Sequence, residues 1–255
     1  FPNHHPDPGN IENLQDLIKA VEKEGADIGI AFDGDGDRLG VISNLGEIIY
    51  PDQLMMIFSK AVLEKNKGRE IVFDVKCTNL LAEIISEAGG MPVMSPTGHF
   101  HIKNTLKKTN APLAGEMSGH IFFNDEWYGF DDGHYSAFRL IEIIKNSESS
   151  IGALFNELPK AYSTPEININ IDEDKKFKIV EDFVLLSEFG EGEKITIDGL
   201  RVNFDDGWGL LRASNTTPKL VLRFEANSPE RLNEIRTIFL NQLKIIDETI
   251  EIDIS

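Results

Sequence analysis

The amino-acid sequence predicts an α/β protein in which mixed α/β domains are followed by a C-terminal α+β domain, with an antiparallel sheet and two helices. Apolar segments of strand length alternate with amphipathic helical segments through the first part of the chain, which is typical of α/β layer folds. From Ile167 onwards the pattern changes to closely spaced short strands and a final long amphipathic helix. With 41% hydrophobic residues in a chain of 255, these domains can bury proper cores.

The first predicted elements surround a polar loop. Apolar residues recur at helical spacing between Glu12 and Glu24 and predict a helix there. The apolar segments 26–32 and 39–42 predict two buried strands, and residues 33–38 form the loop that joins them. The helix therefore leads directly into a strand-loop-strand unit.

A second unit is expected to begin near Ile48. Its predicted elements alternate between helix and strand, in the order helix 52–65, strand 71–75, helix 80–88, strand 92–94 and helix 100–108. Residues 111–123 then repeat the layout of residues 26–42, with an apolar segment, a polar loop that contains glycine and another apolar segment. This repeat suggests two related α/β domains that each present one loop to a common site.

The C-terminal part has a different pattern. Ile and Asn alternate over 167–171, which predicts a strand. Further strands are predicted at 194–197, 200–204, 208–212 and 219–225, followed by an amphipathic helix over 229–246. Closely spaced strands and a long helix indicate a separate α+β domain.

The charge balance and composition exclude several classes of partner. The sequence has 43 acidic and 25 basic side chains and a net charge of −18, which repels nucleic acid and anionic membranes. Its one cysteine, Cys77, excludes an internal disulfide and a cysteine-based zinc site and favours a reducing compartment. No apolar run approaches the ~18 residues of a membrane span, and no signal segment opens the sequence. We therefore expect a cytoplasmic protein with no nucleic-acid or membrane partner, and, since Phe1 is not an initiator Met, a C-terminal portion of a longer chain.

The loop Asp33-Gly34-Asp35-Gly36-Asp37-Arg38 is the most informative segment. Its three carboxylates alternate with glycine, and gathering them requires a counter-charge. Oxygen ligands in a short glycine-rich loop suit Mg²⁺, with water and a phosphate oxygen as its further ligands. An EF-hand is excluded, since that loop requires Gly at its sixth position and Glu at its twelfth, where this sequence has Arg38 and Asn44. The remaining alternative to a metal loop is a solvated acidic turn.

Three further clusters have side chains that could bind a ligand. Segment 115–120 supplies a carboxylate, a hydroxyl and an imidazole from a loop whose glycines let backbone approach a ligand. Segment 212–218 supplies a guanidinium and short donors, as in a phosphate or carboxylate clamp. Lys76 and His99 lie at the ends of predicted strands, where α/β domains place ligands. For each cluster the alternative is an ordinary polar turn or a surface side chain.

Together these segments resemble the α-D-phosphohexomutase superfamily, and within it the bacterial phosphomannomutase/phosphoglucomutase group. The resemblance extends along essentially the whole sequence, and the motifs that carry it are Phe1-Pro2-Asn3-His4-His5-Pro6-Asp7-Pro8, Asp33 to Arg38, Asp74-Val75-Lys76-Cys77, Thr97-Gly98-His99, Gly115 to His120 and Arg212 to Pro218. It implies the end of a second mutase domain over 1–47, a third domain over 48–159 and a C-terminal fourth domain over 160–255.

The resemblance also implies roles for individual residues. The residues that resemble Mg²⁺ ligands are Asp33, Asp35 and Asp37, with Arg38 beside them near the phosphoryl centre. Those that resemble readers of sugar hydroxyls are Glu116 and Ser118, with His120 nearby. Those that resemble a clamp on the non-reacting phosphate are Arg212, Ser214, Asn215 and Thr216. Lys76 and His99 resemble cleft residues that contact the substrate or assist proton transfer, so the candidate catalytic residues are Arg38, Lys76, His99 and His120.

The implied activity is the interconversion of hexose 1-phosphate and hexose 6-phosphate, with mannose and/or glucose as the sugar. The family uses Mg²⁺, a phosphoserine and a 1,6-bisphosphate intermediate, so the expected cofactors are Mg²⁺ and glucose 1,6-bisphosphate and the expected ligands are phosphorylated hexoses. This sequence departs from the family in having no Ser-His-Asn-Pro-like loop. The resemblance therefore implies that the N-terminal mutase domains are its partners and that the isolated chain is inactive. The alternatives are a non-catalytic phosphosugar- or metal-binding module and a phosphatase of another fold.

Overall fold

The structure is a computed structural model in which residues 1–250 are described. The chain divides into two compact units, Phe1–Pro159 and a second unit that begins at Lys160. Each unit has its own hydrophobic core. Within residues 1–250, none of the helices combines the length and the apolar character that crossing a membrane requires.

The first unit opens with a small antiparallel sheet of three strands, β1 (Ile28–Phe32), β2 (Leu39–Ser43) and β3 (Ile48–Ile49). Helix α1 (Gln15–Glu24) packs against β1 and β2 through an apolar cluster. This helix begins later than the sequence predicts, because residues 11–14 form a 3₁₀ turn whose start is capped by the side chain of Asn10.

The second sheet of this unit is mostly parallel. Its strands are β4 (Glu70–Asp74), β5 (Met91–Ser95), β6 (Leu113–Gly115) and β7 (Ile121–Phe123), and the helices around it are α2 (Pro51–Lys65), α3 (Asn79–Glu87), α4 (His99–Thr109), α5 (Gly133–Ser147) and α6 (Ile151–Asn156). The spatial order is β5-β4-β6-β7, with β4 parallel to both β5 and β6, and β7 antiparallel to β6. The carboxyl ends of the three parallel strands therefore meet at one edge of the sheet.

Strand β4 is covered on both faces, which explains its uninterrupted apolar sequence. Phe73 joins the large core cluster that includes residues of α2, whereas Val72 packs in a separate cluster with Ile102 of α4. Side chains of successive strand residues point to opposite faces of a sheet. The helices therefore fix the sheet from both sides and leave its carboxyl edge for polar loops.

The second unit is an α+β domain. Its strands are β8 (Tyr162–Ser163), β9 (Ile167–Asn170), β10 (Glu193–Ile195), β11 (Leu200–Phe204), β12 (Gly207–Ala213) and β13 (Lys219–Ala226), and its helices are α7 (Glu173–Leu186) and α8 (Pro229–Ile246). The described pairings are antiparallel, in the order β10-β11-β12-β13-β8, and β9 also pairs with β13. Phe183, Phe224 and Phe239 meet in the core that this sheet forms with the two helices.

The other face of this sheet holds a buried aromatic and charged cluster. Trp208 is fully buried, and its Nε1 donates to Glu225 Oε1 at 2.8 Å. The guanidinium carbon of Arg201 lies 3.7 Å from the centroid of the indole ring. This cation–π contact compensates in part for removing the Arg201 charge from water.

The predicted fold class is confirmed. Helices and strands alternate in the first unit, and the second unit contains an antiparallel sheet. The apolar pattern predicts α8 at the residues observed but gives no position for α5, α6 or α7. Local start signals exist for two of these helices, since the side chains of Asp132 and Ser150 cap α5 and α6. The apolar pattern of α5 is obscured because Phe138 and Ile141 are exposed beside the buried Leu140.

We expect Phe239→Ala to destabilise the second unit by about 3–5 kcal/mol. Phe239 is fully buried, and its ring contacts three other phenylalanines, so truncation leaves a cavity. Urea unfolding can be followed by the fluorescence of Trp208 in a Trp127→Phe background. Trp127 belongs to the first unit, so its removal leaves a signal from the second unit alone. The matched control is Ile245→Ala on the same helix, where the side chain is 73% exposed and a change below ~0.5 kcal/mol is expected. Equal effects of both variants would contradict the described packing.

Candidate active site

The carboxyl ends of β4, β5 and β6 are tied together by one buried carboxylate, that of Asp74. Its Oδ1 accepts from the Met117 amide at 3.3 Å and from Cys77 Sγ at 3.1 Å, and its Oδ2 accepts from Thr97 Oγ1 at 3.4 Å. Complete burial raises the pKa of Asp74, although the charge of Lys76 opposes this rise. The loops that follow the three strands are therefore held around one residue.

The loop from Asp33 to Arg38 joins β1 to β2, and we call it the Asp loop. Asp33 Oδ1 accepts from the backbone N–H groups of Gly36 and Arg38, both at 3.1 Å, so the loop folds around this carboxylate. One oxygen from each of Asp33, Asp35 and Asp37 lies within 4.8 Å of the other two. One hard cation could contact all three carboxylates at this spacing.

The electrostatics of the Asp loop favour a bound cation. Burial acts to raise the pKa of Asp33, but the hydrogen bond from the Arg38 amide and the charges of Arg38 and His120 leave that pKa below its ordinary value. Burial raises the pKa of Asp37, and the negative charges of Asp33 and Asp35 add to this rise against the opposing effect of His120. Oδ1 of Asp37 is buried and accepts no hydrogen bond from the described residues. A divalent cation would give this oxygen a partner and reduce the repulsion, so the residues present fit Mg²⁺.

The Asp loop is paired edge to edge with a second loop, residues 115–120, which joins β6 to β7. The Leu39 amide donates to the carbonyl oxygen of Gly119 at 3.1 Å, and Arg38 and His120 form an isolated antiparallel bridge. Gly119 has a φ of 99°, a backbone conformation that side-chain-bearing residues rarely adopt. Both loops connect antiparallel strands, so the two loops that share a layout in the sequence also share one in the structure, and their backbones touch.

His120 links the side chains of the two loops. Arg38 Nε donates to His120 Nε2 at 3.2 Å, and Asp37 Oδ1 lies 3.4 Å from the same ring nitrogen. That ring nitrogen therefore lies between a guanidinium, which can only donate, and a carboxylate oxygen; the other ring nitrogen is Nδ1. That nitrogen is 2.8 Å from Ser118 Oγ and 3.3 Å from Glu116 Oε2. One imidazole ring thus connects the acidic loop to the hydroxyl and carboxylate of its neighbour.

Glu116 is buried but incompletely satisfied. Its side chain is 1% exposed, and its Oε1 accepts from the Gly98 amide, at the start of α4, at 2.6 Å. Its Oε2 accepts no hydrogen bond from the residues that the structure describes. Although His120 Nδ1 lies 3.3 Å from this oxygen, no hydrogen bond joins the two atoms, and a hydroxyl group of a ligand would supply a donor.

His99, the first residue of α4, lies next to His120, with 5.9 Å between the ring centroids. Its Nδ1 is 3.1 Å from Asp131 Oδ2, and Lys103 Nζ is 2.6 Å from Asp131 Oδ1. Burial acts to raise the pKa of Asp131, but the hydrogen bond and charge of Lys103 and the contact with His99 leave that pKa below its ordinary value. Asp131 is therefore a carboxylate held between an imidazole and an ammonium group.

A second group of three residues, Asp37, His120 and Asp131, also brings ligand atoms within 4.8 Å of one another. One of these residues is already paired with a cation, because Lys103 Nζ lies 2.6 Å from Asp131 Oδ1. A metal ion at this position would be repelled by that ammonium group. The three carboxylates of the Asp loop are therefore the better metal ligands.

The N-terminus of α5 supports the Asp loop. The side chain of Asp132 caps this helix by accepting from the Tyr135 amide at 2.9 Å, and the Gly133 amide donates to the carbonyl oxygen of Gly36 at 3.0 Å. A Cβ atom at Gly133 would lie 2.8 Å from the carbonyl oxygens of both Gly36 and Arg38. The absence of a side chain at this position is what allows the helix to approach the loop.

The remaining candidate residues occupy two other places. Lys76 follows β4 and is 7% exposed. The proposed phosphate clamp lies in the second unit, on the loop between β12 and β13, where Arg212 Nε donates to Asp198 Oδ2 at 2.9 Å. Ser214 Oγ accepts from the Thr216 amide at 3.4 Å and thereby shapes this loop, while Thr216 and the adjacent Asn215 are exposed.

The structure thus brings eight candidate residues together in the first unit, namely Asp33, Asp35, Asp37, Arg38, His99, Glu116, Ser118 and His120. The residues that position them do not stand out in the sequence. These are Asp131, Lys103 and Gly133, and the pairing of Arg212 with Asp198 is equally hidden. A helix cap could be recognised locally at Asp132, but no local signal connects Asp131 with His99, which lies 32 positions earlier in the chain.

Comparison with known protein families gives three successive matches. Models of the phosphoglucomutase/phosphomannomutase family match in chain order: α/β/α domain II over residues 1–46, α/β/α domain III over residues 50–162 and the C-terminal domain over residues 166–242. These matches follow the order of domains that the resemblance implies.

Curated proteins and solved structures agree with these matches. The phosphomannomutase/phosphoglucomutase of Pseudomonas aeruginosa is 56% identical over 252 residues, which are 99% of this chain and 54% of that protein. The phosphoglucomutase of Neisseria gonorrhoeae is 54% identical over 241 residues, which are 94% and 52% of the two proteins. A crystal structure of a phosphoglucomutase/phosphomannomutase family protein from Burkholderia thailandensis has a TM-score of 0.92 at 50% identity and covers 98% of this chain and 53% of that one. The chain spans about half the length of the curated relatives it matches, and it belongs to the α-D-phosphohexomutase superfamily.

Proposed function

We propose that this chain supplies the metal-, sugar- and phosphate-binding residues of an isomerase that interconverts hexose 1-phosphate and hexose 6-phosphate. The observation that carries the proposal is the junction of the Asp loop with the 115–120 loop through Arg38 and His120. Phosphoryl transfer to and from a sugar requires a site that neutralises phosphate next to one that positions hydroxyl groups. The names of the relatives support glucose and mannose as the sugars.

In this proposal the Asp loop holds Mg²⁺ through Asp33, Asp35 and Asp37. When bound there, the ion would neutralise charge on a phosphoryl group. Arg38 is partly exposed and would donate to phosphate oxygens beside the loop. The proposal includes the phosphoserine and the 1,6-bisphosphate intermediate that the family resemblance implies, with the serine supplied by a part of the protein outside this chain.

The side chains next to the Asp loop would position the sugar. Glu116 Oε2 would accept a hydrogen bond from a sugar hydroxyl, and Ser118 would supply a second polar contact. His99 and His120 would hold or move protons on the groups that react. Lys76, which follows β4, would be a further cation at the carboxyl edge of the sheet. Contacts to hydroxyls other than that on C2 would accept both glucose and mannose.

The second unit would supply a clamp for the phosphate that does not react. Arg212 is a planar, two-pronged donor suited to phosphate, and Ser214, Asn215 and Thr216 add short donors on the same loop. A clamp that recognises phosphate, and not the sugar carbon that bears it, can grip the bisphosphate in both orientations. A reaction that proceeds through a bisphosphate requires this property, because the intermediate is bound in both orientations during one turnover.

A hybrid protein that joins this chain to the other half of the Pseudomonas aeruginosa relative tests the activity. We expect the hybrid to convert glucose 1-phosphate into glucose 6-phosphate in a coupled assay with Mg²⁺ and glucose 1,6-bisphosphate, and the chain alone to stay at background. Asp35→Asn in the hybrid should lower kcat about 100-fold, since neutralisation matters most in the transition state. Asp27→Asn, an exposed aspartate before β1, is the control and should have no effect. A folded hybrid without turnover, or one that tolerates Asp35→Asn, would contradict the proposal.

We expect Glu116→Gln to weaken binding of glucose 1-phosphate by this chain about tenfold, which is the loss of one useful hydrogen bond. Glutamine keeps an acceptor for the Gly98 amide but places an N–H₂ donor where Oε2 accepts. Binding of inorganic phosphate should be unchanged, and both titrations can be followed by NMR. The control is Glu64→Gln at an exposed position of α2. An equal loss of affinity for glucose 1-phosphate and for inorganic phosphate would argue against a role of Glu116 in recognising the sugar.

We expect Gly133→Ala to weaken Mg²⁺ binding at the Asp loop about tenfold. Changes to groups that support metal ligands typically have at least this effect. The added Cβ would press on the carbonyl oxygens of Gly36 and Arg38 and displace the loop. Alanine favours helix more than glycine does, so the weaker binding cannot come from a weaker α5. The amide shifts of Gly34 and Gly36 report the Mg²⁺ titration, and Phe138→Ala, at a 69% exposed residue of the same helix, is the control. An unchanged affinity would show that the contact does not position the loop.

A further inference from the structure

Asp131 lies between two side chains of helix α4. Its side chain is 8% exposed, with Oδ2 at 3.1 Å from His99 Nδ1 and Oδ1 at 2.6 Å from Lys103 Nζ. Each carboxylate oxygen therefore has a partner on the same helix. His99 itself remains open to a ligand, because 58% of its side chain is exposed.

The backbone around Asp131 is fixed on both sides. Asp131 forms an isolated antiparallel bridge with Phe122 of β7. The next residue, Asp132, donates its amide to the Ile121 carbonyl oxygen at 3.3 Å and caps α5 with its side chain. The backbone that carries this carboxylate is thus held by β7 and α5.

Two arrangements of protons could satisfy His99 Nδ1. In the first, Nδ1–H donates to Asp131 Oδ2 at 3.1 Å; in the second, an unprotonated Nδ1 accepts from Lys103 Nζ at 3.4 Å. The second would turn a nitrogen lone pair towards a carboxylate oxygen, which is repulsive. Lys103 is also engaged at the shorter distance of 2.6 Å by the other oxygen of Asp131. In the first arrangement His99 and Lys103 each donate to one oxygen of Asp131, so all three side chains have a partner.

We infer that Asp131 is a positioning residue that holds His99 as the tautomer protonated on Nδ1, so that Nε2 faces the site as a hydrogen-bond acceptor. A carboxylate that receives one ring N–H of a histidine fixes both the orientation and the tautomer of the ring. The inference deepens the proposed function and rests on it for the identity of the ligand. In that function Nε2 accepts from a hydroxyl of a phosphorylated hexose, and if the ring takes up the proton, Asp131 stabilises the imidazolium.

The tautomer can be read directly in this chain without any substrate. With histidine labelled by ¹⁵N, spectra at about pH 8.5, where free imidazole is neutral, distinguish a protonated from an unprotonated ring nitrogen. His99→Gln identifies the signals of this residue by their disappearance. We expect Nδ1 of His99 to be protonated and Nε2 to be unprotonated. The opposite pattern would overturn the inference.

Two substitutions separate Asp131 from its neighbours. In Asp131→Asn the amide oxygen should face Lys103 and its N–H₂ group should face His99, which moves the proton of His99 to Nε2. The matched control, Asp132→Asn, keeps a good helix cap and should leave the tautomer unchanged. A tautomer that does not respond to Asp131→Asn would overturn the inference.

Lys103→Met provides a test that leaves Asp131 intact. Nδ1 should remain protonated, since the carboxylate is still in place to accept from it. A proton that moves to Nε2 would assign the control of the tautomer to Lys103 and overturn the inference. This measurement and that on the unaltered chain stay decisive even if Asp131→Asn does not fold.

The hybrid enzyme distinguishes failure of this inference from failure of the proposed function. There, Asp131→Asn should lower kcat/KM for glucose 1-phosphate at least about tenfold, as loss of a partner of a functional histidine does elsewhere, and should leave Tm close to that of Asp132→Asn. A correct tautomer in a hybrid without turnover counts against the proposed function alone. An active hybrid with Nε2 protonated counts against the inference alone.

Discussion

A carboxylate that is buried away from water destabilises a protein unless hydrogen-bond donors surround it. For Asp74 these donors come from the loops that follow three parallel strands. The sheet places the ends of these strands together, and the need to satisfy one buried charge then decides how the loops turn. Met117, which donates to Asp74, adjoins Glu116, so the orientation of that glutamate depends on the same residue. The position of the candidate site thus follows from the parallel sheet, and its internal geometry follows from Asp74.

The site combines many carboxylates with a few cations in alternation. Arg38 and His120 lie between Asp33, Asp37 and Glu116, and Lys103 neutralises Asp131. The net charge of −18 opposes the approach of an anionic ligand at long range. A metal ion in the Asp loop would complete this alternation. The overall acidity of the protein is therefore compatible with a phosphorylated ligand, because the attraction is local.

The sequence predicts those parts of the fold and site that have local signals. The Asp loop and the 115–120 loop can be recognised because each combines glycine with polar residues between two apolar segments, and their shared layout predicts that they meet. Helix α5 is missed because exposed apolar residues blur its periodicity, and Asp131 is missed along with this helix. Its partner His99 is distant in sequence, and their contact exists only once β7, α4 and α5 have packed. The pairing of Arg212 with Asp198 is likewise formed by strands and not by a motif.

The only thiol of the chain lies against the residue on which this arrangement depends. Cys77 is fully buried, and its Sγ contacts Asp74 at 3.1 Å, so an alkylating reagent can reach it only when the carboxyl edge of the sheet opens locally. Under native conditions the rate of alkylation measures how often that edge opens, by the same logic as amide hydrogen exchange. A ligand that bridges the loops at this edge would slow the modification of a sulfur atom that it never touches.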